Sequence, residues 1–142
     1  MEKIKFKLEV ESEYFNNAPN LRISLDDDVL FDQPITKNTV IETDRAVKDD
    51  STYKINFTLH DKSKYDTILE DGKIVKDTLI KIKSVELDDV NITHLLSIDK
   101  NKFYYTHDGS DEKHTFYDTM GVNGTSTIEF TTPFYVWLLE TL

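Results

Sequence analysis

The amino-acid sequence predicts an all-β fold: a two-sheet antiparallel β-sandwich of jelly-roll type, ending in a short helix or an extended tail. Three observations carry this expectation. Apolar residues recur at every second position in several runs, Gly, Asn and Asp clusters separate those runs, and only the last ten residues could be helical. A chain of 142 residues is of the size of one domain, so residues 1–142 are expected to share a single core.

The first run, "KIKFKLEVE", sends Ile4, Phe6, Leu8 and Val10 to one face and Lys3, Lys5, Lys7 and Glu9 to the other. "LRISLD" repeats the pattern with Leu21, Ile23 and Leu25. In "YKINFTLH" Tyr53, Ile55, Phe57 and Leu59 point inward, and Lys54, Asn56 and Thr58 outward. "TLIKIKSVEL" carries Ile80 and Ile82, then changes phase near Ser84 so that Val85 and Leu87 point inward, the mark of a β-bulge. The expected core therefore holds Phe6, Leu8, Ile23, Ile55, Phe57, Ile80, Ile82, Ile128 and Phe130.

"KFYYTHD" and "TFYD" are aromatic, β-prone runs. Asn123-Gly124, between two more, is the sequence signal of a type I′ hairpin turn. In "TTPFYVWLLETL", Thr132 is the expected helix cap and Pro133 the first helical residue. Spacing then places Phe134, Trp137 and Leu138 on one stripe and Tyr135, Leu139 and Leu142 on the next. One stripe is expected to seal the core and the other to meet a partner, with Tyr135, Trp137, Leu139 and Leu142 as the partner-binding candidates.

Composition narrows function. Twenty-seven acidic against seventeen basic residues, a net charge of −10, argue against binding a phosphate backbone. Cysteine is absent, which excludes disulfides, thiolate nucleophiles and zinc-thiolate sites. No apolar run is long enough to span a membrane, and the alternating start lacks the apolar segment of a signal peptide. His60, His94, His107 and His114 have no metal-ligand spacing, and no serine sits in a nucleophile elbow, so an enzyme is not expected. The paired turn carboxylates, such as Asp26 to Asp28, Asp49-Asp50 and Asp88-Asp89, read as solvated charge. The segment "HDKSKYDTILEDGKIVKDTLI" gathers more acid around a glycine turn. Calcium takes six to eight oxygen ligands, and Asp66, Asp71 and Asp77 are the candidates to supply them.

Two resemblances add to this reading. "YDTILEDGKIVKDTLIKIKSVELDDVNI", then "YTHDG", then "MGVNGTSTIEFTTPFYVWLLETL" resemble small β-sandwich proteins encoded by tailed bacteriophages, over roughly residues 53–142. That likeness implies a non-enzymatic structural or decoration component of a phage particle. It would assemble with copies of itself or other virion proteins, and be made in the host cytoplasm. The usage of two arginines against fifteen lysines, as an AT-rich genome encodes, agrees with it. Separately, the strand Ile80-x-Ile82-x-x-Val85-x-Leu87-Asp88 after an acidic loop is similar to small calcium-dependent carbohydrate-binding jelly rolls that recognise xylan. Asp88-Asp89 stand here at the place of those modules' Asp-Gly turn. This likeness implies the alternative function, calcium-dependent binding of a host-surface glycan.

Overall fold

Period-two alternation folds into two antiparallel sheets that face each other across one apolar core. The computed structural model describes all 142 residues. In chain order the strands are β1 (Glu2–Glu13), β2 (Asn20–Leu25), β3 (Asp28–Pro34), β4 (Thr39–Val47), β5 (Thr52–His60), β6 (Ile68–Glu70) and β7 (Lys73–Lys76). They continue as β8 (Leu79–Leu87), β9 (Val90–Asn91), β10 (Phe103–His107), β11 (His114–Thr115), β12 (Thr119–Met120) and β13 (Gly124–Thr131), before the helix α1 (Phe134–Thr141). One sheet runs β12-β8-β1-β4, with β9 paired to β8. The other runs β11-β10-β13-β5-β2-β3, and β6-β7 form a separate hairpin.

Every core position expected from the alternation is buried, and a single cluster joins residues of both sheets. The phase change in β8 is a bulge. Glu9 of β1 pairs with Ser84 and Val10 with Ile82, which leaves Lys83 as the extra residue.

Two local expectations are corrected. Asn123-Gly124 does not turn a hairpin, because β12 belongs to one sheet and β13 to the other. Neither residue has positive φ. Gly124 is required for space: a Cβ there would lie 2.6 Å from the Thr106 carbonyl oxygen and against the Tyr105 hydroxyl. Thr132 does not cap α1 either. Its hydroxyl donates to the Lys48 carbonyl and accepts from the Ser51 N–H at 3.0 Å, tying the strand end to the turn before β5. Pro133 is the N-cap, and the Phe134 N–H donates to the Glu2 carboxylate at 3.0 Å. A carboxylate at a helix N-terminus satisfies an orphan donor and meets the positive end of the dipole.

The helix splits into two stripes as its spacing predicts. Phe134, Trp137 and Leu138 are buried, with Trp137 edge-on to Phe103 and Phe130. Trp137, expected at the partner surface, is thus a core residue at 3% exposure. The reason is its i+3 spacing from Phe134, which forces both onto the inward face. Tyr135, Leu139 and Leu142 remain exposed.

Phe57 is fully buried at the centre of the larger sheet. Phe57→Ala should therefore cost about 3–5 kcal/mol in urea denaturation. A loss below about 1 kcal/mol would contradict its place in the core.

Candidate functional site

The two sheets turn very different outer faces to water. On β1, β4 and β8 the outward residues are long and charged, and they pair across strands: Lys3 with Asp44 at 3.5 Å, Lys7 with Glu42 at 3.8 Å, and Lys83 with Glu11 at 3.5 Å. On the larger sheet short hydroxyl and amide residues predominate, interspersed with Arg22, Lys54 and Tyr104. Antiparallel register aligns Tyr104, Thr127, Asn56 and Ser24 in one row across β10, β13, β5 and β2. The next row runs Thr106, Thr125, Thr58 and Arg22, and reaches Asp32 on β3. Adjacent strands lie ~4.8 Å apart, so a five-strand row extends over about 19 Å.

Together these rows floor a groove of about 780 Å³. Its walls come from the β2–β3 turn, with Asp26 and Asp27, and from the segment before β11, with Asp111 and Lys113. Only Val29 and Tyr104 among its residues are hydrophobic in type. The floor is preoriented by its own hydrogen bonds: Thr127 Oγ1 donates to Asn56 Oδ1 at 2.8 Å, and the Thr58 and Thr125 hydroxyls pair at 3.1 Å. Arg22 Nε donates to Asp32 at 3.2 Å and lowers that carboxyl's pKa, with a smaller lowering from His60. Tyr104 lies under the Lys113 ammonium, 4.4 Å from the ring centre, and donates to Glu129 at 3.1 Å. Burial first, and the Glu129 carboxylate second, push its phenol up to about 12.

A second cluster sits at the loop end beside this sheet. Lys62, just after β5, carries its ammonium into a nearly closed place, with 9% side-chain exposure. It donates to Asp77 Oδ1 at 2.6 Å and to the Gly121 carbonyl. The same Asp77 oxygen accepts from Thr67 Oγ1 at 2.6 Å and from the Thr78 N–H at 2.8 Å. Burial pushes the Asp77 carboxyl up, but the bonds from Lys62, Thr67 and Thr78 outweigh it, and its pKa stays below the ordinary 3.8. The Asn123 side-chain amide holds both the N–H and the carbonyl of Lys62, at 2.9 Å each.

The carboxylates expected to hold calcium are dispersed by this arrangement. Asp66 closes a 3-10 turn over Lys64–Asp66, accepting from the Ser63 N–H at 2.9 Å. Asp71 stands exposed at the tip of the β6–β7 hairpin with φ 51°, and Asp77 is taken by Lys62. No group of three or more His, Asp or Glu side chains is arranged to hold a metal ion. Each acidic residue answers a local backbone or ammonium demand, which clustering in sequence does not reveal. Of the groove floor, the alternation had already turned Lys54, Asn56 and Thr58 outward. The missed signal was the contrast between the short neutral Asn56 and Thr58 and the charged outer face of β1.

No protein-family model and no curated protein sequence matches the chain. Among solved structures it is similar to vCBM60 in complex with galactobiose, with a TM-score of 0.51 and 6% identity over 87% of this chain and 96% of that one. It is likewise similar to a selenomethionine form of vCBM60, described with two families of calcium-dependent carbohydrate-binding modules. That match has a TM-score of 0.51 and 5% identity over 88% of this chain and 89% of the other. The likeness is one of fold, a mainly antiparallel β-sandwich. The tailed-phage resemblance has no counterpart among these neighbours.

Asp77→Asn would leave the Lys62 ammonium buried without its counter-charge, at a cost of about 3–5 kcal/mol. Because the folded-state pKa of Asp77 is lowered, its contribution is present above pH ~4 and is lost as pH falls through the folded value. The stability gap between parent and variant, measured by denaturation at several pH values, should therefore shrink below pH ~4. A gap that stays constant into strong acid would contradict this role.

Proposed function

We propose that the chain binds carbohydrate in the groove across the outer face of the six-stranded sheet. The observation that carries this reading is the groove's floor, two register-aligned rows of hydroxyl, amide and charged side chains on a sheet. Sugar hydroxyls are both donors and acceptors, and Ser, Thr, Asn, Asp and Lys offer the complementary set. Hydrogen bonds among Asn56, Thr127, Thr58 and Thr125 hold those groups before a ligand arrives, which lowers the ordering cost of binding. The fold shared with vCBM60 supports the same class of ligand. No exposed aromatic lies in the groove, so recognition here proceeds by hydrogen bonding, without a stacking platform.

The reading requires no chemistry on the bound sugar: the chain is a binding module. A glycan array followed by calorimetry tests it. Asn56→Ala should weaken binding about tenfold, the worth of one well-placed hydrogen bond, while leaving the melting temperature near that of the parent. An array with no hit, or affinity unmoved by changes across the groove floor, would remove the reading.

A second reading keeps the assembly role implied by the phage resemblance, as a structural component of the virion. What favours it is the outer stripe of α1, where Tyr135 is 55% and Leu139 75% exposed beside Leu142. An apolar helical stripe is self-complementary about a two-fold axis, so its partner in this reading is another copy of the chain. Leu139→Glu should then abolish self-association in light scattering without lowering stability. A parent that stays monomeric at high concentration and high salt would remove this reading.

A further inference from the structure

A structural cation cross-links loops by gathering oxygen ligands from several segments, and calcium asks for six to eight of them. The calcium dependence associated with the neighbouring fold makes the corresponding demand of this chain, and its residues do not fit it. Asp66 and Asp71 face separate tasks. Oδ1 of Asp77 already accepts three hydrogen bonds, one from an ammonium group. A divalent ion placed there would meet a positive charge at contact distance.

We infer that the Lys62 ammonium is the built-in cation of this loop cluster, and that folding and ligand binding proceed without calcium. The part that concerns ligand binding rests on the carbohydrate-binding reading. The part that concerns folding stands alone. Lys62 joins segments that are distant in sequence. Its main chain continues from β5 and is clamped on both sides by Asn123. Its ammonium ties Asp77, two residues before β8, to the β12–β13 crossover at Gly121. Thr67, at the base of the β6–β7 hairpin, reaches the same carboxylate.

The surroundings are cut to this ammonium. A Cβ on residue 121 would come 2.9 Å from the Leu79 side chain, so glycine lets the crossover approach. The Tyr105 hydroxyl donates to the Val122 carbonyl at 3.0 Å and fixes the strip from the other side. Methionine, glycine, valine, asparagine and glycine at 120–124 thus form a docking strip for Lys62 and Tyr105, where the sequence suggested a hairpin turn. A tethered monovalent charge is always at its site, so its occupancy does not vary with the medium.

The test is thermal melting of the full chain in millimolar calcium chloride and in EGTA. Superimposable curves are expected, with any glycan identified on an array bound equally in both. A melting temperature that rises by several degrees with calcium overturns the inference. Lys62→Met keeps most of the side-chain volume and removes the charge. It should lower the melting temperature by roughly 10 °C, as expected for breaking a buried ion pair in a chain of this size. A variant melting within about 2 °C of the parent would show that the ammonium is not the tie, and would also overturn the inference. Should Lys62→Met fail to fold, that loss agrees with the ammonium as tie, and the parent's response to calcium still decides. Absence of glycan binding in both media would count against the carbohydrate reading alone, since melting needs no ligand.

Discussion

Each sheet must bury one face, and each can do so only against the other. That constraint organises the molecule. Phe6 and Leu8 from one sheet and Ile55, Phe57 and Phe130 from the other enter a single cluster, with Phe134 and Trp137 of α1 closing it at one end. Because successive side chains alternate, the same strands that fill the core present a second, independent set of residues outward. The inner set can specify the fold while the outer set is free to vary. The two outer faces differ: one carries long charged chains in cross-strand pairs, and the other two rows dominated by hydroxyl and amide groups, with Arg22 paired to Asp32 at one end.

What could be read from the chain follows the range of the interactions involved. Alternation is local, so the core residues, the bulge at Lys83 and the two stripes of α1 were legible within a few residues. The candidate site was not, because it is made by register. Ser24, Asn56, Thr127 and Tyr104 come from four strands, and nothing local in any of them says that they align. Lys62 looked like one more lysine in an acidic loop, since its partners Asp77 and Gly121 lie 15 and 59 residues away. Asn123-Gly124 misled for a related reason. The dipeptide is a strong turn signal in isolation, yet here the asparagine serves a distant main chain and the glycine makes room for a tyrosine. Thr132, the expected cap, likewise answers to Lys48 and Ser51, and Glu2, at the far end of the sequence, takes its place.

Groove and loop cluster are mechanically linked through β5. Its outward residues Asn56 and Thr58 lie in the groove floor, and two residues past its end Lys62 enters the cluster. His60, at the strand's end, bonds to Asp32 of the groove at 3.2 Å and to Asp61, the residue before Lys62, at 2.7 Å. In the proposed carbohydrate-binding role, a surface built on sheet and fixed at its end would lose little freedom when a ligand settles on it.

All six non-glycine residues with positive φ are aspartates: Asp26, Asp50, Asp61, Asp71, Asp88 and Asp89. Aspartate and asparagine tolerate that conformation better than other residues with a Cβ. Two of them also extend the ladder. Asp26 exchanges its N–H and a carboxylate oxygen with Lys54, and Asp88 does the same with Lys5, each contact at 2.8–2.9 Å. Six of the twenty-seven acidic residues therefore sit where the backbone calls for this conformation. Asparagine at the six positions would keep the turns and the ladder contacts while moving the net charge from −10 to −4. The low isoelectric point that the sequence implies, about 4.7, thus owes part of its value to backbone geometry.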